Sequence, residues 1–355
     1  MIEGSTELVT ARGANRGPAA KNDEGAFYNA AMRVNRDLSV ATVAAFAATR
    51  GRSIDVADVL AGTGARSLRL AHELDADVVV HANDADPRAV AAIQEGRARN
   101  GIDPARLEVT HGDAHRFLAT RRFDVVDVDP FGAPTPFLDA AVRATRHGGL
   151  LCLTATDTAA LCGTYPRVCR RRYGAEHRLH RMPWRAEVGL RILAATAIKA
   201  AGRFDGAATP LWSCFGGHWM RVVLRMEDGR QKADGLAKRL GRIAATPGDL
   251  GTFADEGSGP AWTGPLHDAA FVAAMADASL PEDSARLVAR FREEADAAPF
   301  WADPGCLHRA FGRDPPKRDA LMTRLRDAGF HAARTHLDDQ GIRTDAGLDD
   351  LRGLW

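Results

Sequence analysis

From Asp55 to about Glu227 the sequence keeps one alternation, and that alternation sets the class of fold. VADVLAGTGA is an apolar run closing in glycines, followed by the helical RSLRLAHEL; VVVHANDAD is a β-branched run closing in acids, followed by the helical PRAVAAIQEGRARN. LEVTHGDA, FDVVDVDP and GGLLCLTATD supply three more such runs. Strands separated by helical segments build a parallel, doubly wound α/β sheet. A long helix is expected over about Glu187 to Ala201, after which ATPLWSCFGG and HWMRVVLRM follow closely enough to pair antiparallel. Five parallel strands and a closing hairpin suit a seven-stranded sheet better than a dinucleotide-binding one.

After Asp228 the texture changes to helical pieces, about Ala233 to Arg242 and Pro281 to Ala295, set among turn-rich stretches such as ATPGDLGTFADEGSGP. At ~100–200 residues per domain, the 355-residue chain divides into an N-terminal extension (1–25), an α/β domain (26–230) and a smaller α+β domain (231–355). The extension is assigned because Gly4 to Gly25 is polar and aperiodic. MIEGSTELVT has no basic segment and no apolar core, so it is not a secretory signal. Apolar runs such as VATVAAFAA are about half the ~18 residues of a membrane span. The expected location is cytoplasmic, away from any membrane. Five cysteines without a CxxC pair argue against both a disulfide framework and a structural zinc site. With a net charge of +1, the chain as a whole is no general binder of nucleic acid, so local clustering of its arginines is the better guide.

The acids fall where open α/β sheets place their ligands, at the carboxyl ends of strands. AGTGARS puts Gly62 and Gly64 between the first strand of the sheet and its helix, where backbone approaches a ligand closely. Ser67 stands where the dinucleotide fingerprint has its third glycine, which argues against pyrophosphate. Asp84 closes the second strand at the spacing of an acid gripping ribose hydroxyls. Asp113 follows the third, where an acid accepts a bond from an adenine amino group. Each acid alone is an ordinary cap or turn residue; together with the glycine turn they describe a nucleoside with a short charged tail, such as S-adenosylmethionine.

In DVDPFGAP, Pro130 ends the fourth strand at Asp129. An exocyclic aromatic amine is a poor nucleophile because its lone pair is delocalised into the ring. Asp129 supplies an acceptor for the N–H, and Phe131 a surface on which an unstacked base can lie. Catalysis then rests mostly on positioning for in-line transfer. The same residues also fit a DNA or protein amine methyltransferase, or an RNA-binding protein that keeps S-adenosylmethionine as a structural ligand. A dinucleotide-dependent oxidoreductase fits less well, because the third glycine is missing.

DPFG, FYNAAMRVNRD (Phe27 to Asp37), TDTAALCG (Thr156 to Gly163) and GPAWTGPLHD (Gly259 to Asp268) together resemble the tRNA guanine-N2 dimethyltransferases that act at position 26, over about Glu24 to Arg343. The resemblance implies a class I, Rossmann-like methyltransferase domain with a C-terminal RNA-binding domain. It further implies that Arg36, Arg66, Asp84, Asp113 and Ala114 contact S-adenosylmethionine, that Asp129 works at the guanine amine, and that Phe27 is a second aromatic near the base. Two departures stand out: Ala30 replaces the family's usual proline, and Val222 to Ser258 lacks the cysteine cluster of many relatives, so no zinc is expected. PRVCRRRYGAEHRLHR offers Arg167, Arg170, Arg171, Arg172, Arg178 and Arg181 with Tyr173 among them as a tRNA-facing surface. The basic PPKRDALMTRLRDAGFHAARTHLDDQGIRTD, of helix-then-strand texture, is a second candidate contact.

Overall fold

The structure, a computed structural model, describes residues 1–10 and 26–355; most of the segment assigned as an extension, 11–25, lies outside the described residues. The chain begins with a small hairpin, β1 (Ile2–Glu3) and β2 (Thr6–Glu7), and α1 (Arg33–Ala47) follows a 3-10 turn. Then come β3 (Ile54–Asp58), α2 (Ala65–Glu73), β4 (Val78–Asp84), α3 (Pro87–Arg99), β5 (Leu107–His111) and α4 (Ala114–Thr120). The series continues with β6 (Phe123–Val128), α5 (Leu138–Ala144) and β7 (Thr145–Ala155). Helices α6 (Thr158–Leu161), α7 (Pro166–Tyr173) and α8 (Arg185–Gly202) lead into β8 (Gly206–Phe215) and β9 (Met220–Asp228).

Strands β3 to β9 form one seven-stranded sheet in the order β5-β4-β3-β6-β7-β9-β8. Pairs β3–β4, β4–β5, β3–β6 and β6–β7 are parallel, and β9 runs antiparallel to both β7 and β8. This is the seven-stranded, mostly parallel sheet that the alternation predicted, as the resemblance to class I methyltransferases also implies. Period-2 alternation sends Val56, Val125 and Leu150 to one apolar cluster with α1 and α2, and Ala57, Val126 and Leu151 to the other with α5 and α8. Local chemistry sets the boundaries. Pro87 opens α3 behind an Asp86 cap whose carboxylate accepts from the Arg88 N–H, and Gly174 closes α7 in the left-handed region.

Beyond Asp228 lie α9 (Arg230–Ala237) and a three-stranded sheet of β10 (Leu240–Thr246), β11 (Leu250–Ala254) and β12 (Ser258–Trp262). Four helices follow, α10 (Ala269–Met275), α11 (Glu282–Glu294), α12 (Pro304–Phe311) and α13 (Arg318–Asp327), and then β13 (Ala332–Arg334), β14 (Ile342–Thr344) and α14 (Leu348–Leu354). The helix expected to Arg242 thus ends at Ala237, and the turn-rich stretch after Ala244 contains two strands. Their glycines hid the alternation, and pairing with β10 supplies what local propensity lacks. Phe271, Val288 and Phe291 join the same apolar cluster as Phe46 and Trp212. Among the described residues no helix is long and apolar enough to cross a membrane.

Candidate active site

The carboxyl ends of β3, β4 and β6 open into a cleft of about 640 Å³, lined by Phe27, Arg36, Gly62, Arg66, Asp84, Asp129 and Phe131 among others. Most of the site residues expected from sequence therefore meet in one place. The turn after β3 is built on Gly62 (φ 55°) and Gly64 (φ 73°). A Cβ on Gly64 would stand 2.6 Å from Ile93 Cγ1, so this turn needs glycine for space as well as for conformation. Asp84 holds the turn in place: one oxygen accepts from the Gly62 N–H (2.8 Å), the other from the Asp86 N–H (2.9 Å). Ser67, out of place in a dinucleotide fingerprint, donates its hydroxyl to Asp58 (2.6 Å) beneath the turn.

Asp113 and Ala114 sit on the same sheet edge, but neither lines the cleft. Asp113 is exposed and caps α4, its Oδ1 accepting from the His115 (3.0 Å) and Arg116 (3.1 Å) N–H groups; Ala114 is buried behind it.

Asp129 follows β6 and pairs with Arg66, whose guanidinium also donates to Asp127 (2.7 Å) and to Asn35 Oδ1 (2.7 Å). Arg221, on β9, grips Asp127 from the other side and reaches Thr154 Oγ1 (2.7 Å). Burial alone would lower the Arg66 pKa, but Asp127 and Asp129 reverse the effect and raise it. Burial would likewise raise the Asp127 pKa, and the charges of Arg221 and Arg66 bring it below the usual carboxylate range. Asp58, fully buried, is pushed up to about 6 by burial, with Arg66 opposing. Sequence reading passed over Asn35, Asp58, Asp127 and Arg221. A signal was present: Asp127 and Asp129 stand two apart at a strand end, hence on one face, and Arg221 interrupts the apolar run of β9.

Above this charged floor Phe131 is 76% exposed. Its ring meets Phe27 edge to face, with centroids 4.5 Å apart. A large aromatic this open on the lining of a cleft is available to a ligand. Because Phe131 buries so little, Phe131→Ala is expected to leave the melting temperature nearly unchanged. It should lose stacking of ~1–3 kcal/mol per base, read as a higher KM for tRNA together with a lower rate. A variant that melts early but keeps its specific activity would assign Phe131 to the turn instead.

Arg36 lines the cleft with most of its guanidinium committed. Nε donates to Glu3 Oε1 (2.6 Å), and Nη2 reaches both Glu3 Oε2 and the Asn29 carbonyl (3.1 Å). Glu3 also accepts from Tyr28 Oη (2.7 Å) and Arg69 Nη1 (3.1 Å). Burial opposes ionisation of Glu3, but Arg36 prevails and lowers its pKa, while burial and Glu3 push Tyr28 up to about 12. The terminal hairpin therefore anchors one wall of the cleft through Glu3, which a polar and aperiodic sequence gave no reason to single out.

The arginine-rich segment forms α7 and the loop after it. Tyr173 is not on its outer face: it is buried, and its hydroxyl bonds Asp157. The exposed ring is Tyr165, at 58%. Arg172 pairs with Asp157, and Arg170 and Arg178 share Glu176, while Arg167, Arg171 and Arg181 are exposed. Among the described residues one group, His267, Glu294 and His336, has potential ligand atoms within 4.8 Å of one another. Its carboxylate is already taken, with Oε1 accepting from His336 Nδ1 (2.8 Å) and Oε2 from Arg343 Nε (3.0 Å). A cation there would have to displace the Arg343 guanidinium.

Residues 10–354 match the family described as N2,N2-dimethylguanosine tRNA methyltransferase. A tRNA (guanine(26)-N(2))-dimethyltransferase from Methanothermobacter thermautotrophicus is 35% identical over 351 residues, which cover 92% of this chain and 91% of the relative. One of the same name from Thermococcus kodakarensis is also 35% identical, over 91% of both chains. The solved structure of Trm1 from Pyrococcus horikoshii with S-adenosyl-L-methionine aligns with a TM-score of 0.88 at 28% identity, covering 100% of this chain and 98% of that one. With residues 10–354 matched by that family and relatives 35% identical over more than nine tenths of it, the chain belongs to the N2,N2-dimethylguanosine tRNA methyltransferase family.

Proposed function

We infer that this protein transfers methyl groups from S-adenosylmethionine to the exocyclic N2 of guanine 26 in tRNA, giving N2,N2-dimethylguanosine. The observation that carries the reading is Asp129, held by Arg66 at the floor of the cleft beside the open ring of Phe131. The cleft suits the methyl donor: its volume falls within the range of ligand sites, and the glycine turn leaves backbone bare next to Asp84. Gly62, Gly64 and Asp84 would hold the ribose side, and Arg36 and Arg66 the methionine end. Asp113 and Ala114, just outside the lining, border the adenine end. S-adenosylmethionine supplies an electrophilic methyl carbon on a sulfonium.

The protein's own residues prepare the amine. Phe131, braced by the edge of Phe27, offers its open face to the base, which fixes the direction of the N2 lone pair. Asp129 accepts one N–H, keeping that lone pair out of the ring, and takes up the proton released as the new N–C bond forms. Arg66 keeps Asp129 in position through both stages. The first product still carries one N–H, so a second round would give the dimethyl product once Asp129 has passed its proton to water and a fresh S-adenosylmethionine has replaced the S-adenosylhomocysteine left when the S–CH3 bond breaks. Nucleosides digested from tRNA after incubation with protein and S-adenosylmethionine should contain N2,N2-dimethylguanosine by mass analysis. Methylation confined to another base, to DNA or to a protein side chain would overturn the reading.

The cofactor half has its own test. Asp84→Ala removes both an acceptor for the ribose and the clasp on the Gly62 turn. It is expected to weaken S-adenosylmethionine by ~1.5–3 kcal/mol, the range for hydrogen bonds to charged groups. Calorimetry showing unchanged affinity would take Asp84 out of the site.

A further inference from the structure

The strand order divides the cleft in two. Asp84 closes β4 and the glycine turn follows β3, so both lie on the β5 side of Asp129. On the other side, Thr156 follows β7 and His218 precedes β9, and both line the same cleft. A base stacked on Phe131 with its amine at Asp129 has to present its remaining edge to these groups.

Thr156 is already occupied. Its hydroxyl accepts from the Gly132 N–H (2.6 Å) and its own N–H donates to the Gly132 carbonyl (2.8 Å), which ties the DPFG turn to β7. His218 differs. Its backbone is fixed in the β8–β9 turn by a bond from its N–H to the Gly216 carbonyl (3.0 Å), but its ring Nε2 is buried and has no partner. Burial lowers the His218 pKa, opposed by a bond from the ring to the Gly216 backbone, so near pH 7 the ring is neutral, with its N–H turned to Gly216 and Nε2 left as an acceptor. A polar atom held out of water and left unpaired is costly, and in a ligand cleft the ligand is what satisfies it.

We propose that His218 is a specificity-determining residue that reads the guanine edge next to N2, its unprotonated Nε2 accepting a hydrogen bond from the guanine N1–H. The inference rests on the transfer reading above. It explains how a site built on an aromatic stacking surface, which accepts any base, singles out guanine. Adenine offers the reversed donor and acceptor pattern on that edge and carries no amine at the position facing Asp129.

The test uses tRNA carrying either guanine or 2-aminopurine at the target position. 2-Aminopurine keeps the reacting amine and lacks both O6 and N1–H. The wild-type protein is expected to prefer guanine by ~10-fold or more in kcat/KM, since a site built to hydrogen-bond a group rejects the analogue without it. His218→Ala should lose about that factor on guanine and little on 2-aminopurine, so the preference collapses. His218→Gln, which keeps a hydrogen-bonding amide, should retain part of it and serves if the alanine variant folds poorly. S-adenosylmethionine affinity should be unchanged in both variants. If folded variants keep the full wild-type preference, or lose rate only in proportion to cofactor affinity, His218 does not read the base. Failure of the wild-type protein to methylate the guanine substrate at all would instead sink the transfer reading.

Discussion

Asp129→Ala is expected to lower kcat for transfer to tRNA by ~10²-fold or more, the scale for removing a positioned proton acceptor, with fold and S-adenosylmethionine affinity nearly intact. The structure explains why one carboxylate can be removed so selectively. Arg66 keeps Asp127 and Asn35 as partners when Asp129 is gone, so no buried cation is left stranded. Asp129 itself is the member of the group that reaches solvent, its side chain 16% exposed where that of Asp127 is 4%. Two carboxylates on one strand face thus differ in setting: the inner one is buried against the arginine, and the outer one opens to the cleft. Single-turnover rates on unmodified tRNA, measured beside melting curves, separate this from a role in closing the turn. An alanine variant that methylates at the wild-type rate would end the catalytic assignment, and one that only melts earlier would make Asp129 a turn residue.

The sequence was most legible where one physical constraint acts on one residue. Proline after an acid ends a strand, so DPFG marked both the strand end and a stretch that lines the cleft. Glycine pairs, β-branched runs and capping acids located most of the major sheet and its connections, because each acts within a few residues. What stayed hidden depends on partners far away along the chain. Glu3 comes to support the cleft wall only when the hairpin lays it against Arg36 and Arg69. Arg221 becomes a site residue because β9 inserts between β7 and β8, bringing its guanidinium to Asp127. Tyr173 read as a surface aromatic because arginines flank it, yet its place on α7 turns it inward to Asp157. The strands β10 to β12 escaped for the same reason, since glycine-bearing segments acquire their conformation from the neighbours they pair with.

Removing Arg66 is expected to cost the fold what removing Asp129 does not. Its buried guanidinium is shared by Asp127, Asp129 and Asn35, with the Asp58 charge close by. Breaking a buried pair by deleting one partner typically costs ~3–5 kcal/mol, because the charge left behind has no water to replace it. Arg66→Ala strands more than one carboxylate, so its loss should fall at or above that range in chemical denaturation near pH 7–8. The dependence on pH has a definite sign. Asp58 already has its pKa raised to about 6 by burial, so the folded state favours its neutral form and that favour fades as pH rises from about 4 through 6. Without the arginine the Asp58 and Asp127 pKa values rise further, and the window in which the folded protein suffers for keeping them ionised extends to higher pH. The deficit of Arg66→Ala relative to wild type should therefore shrink as pH is lowered from 8 to 5. Arg66→Lys, which restores one charge without the planar fork, should recover part of the stability, but less of the rate, because a single ammonium cannot hold Asp127 and Asp129 in one plane. An Arg66→Ala protein as stable as wild type, or a deficit that grows on acidification, would show that the three carboxylates do not depend on this guanidinium for their charge.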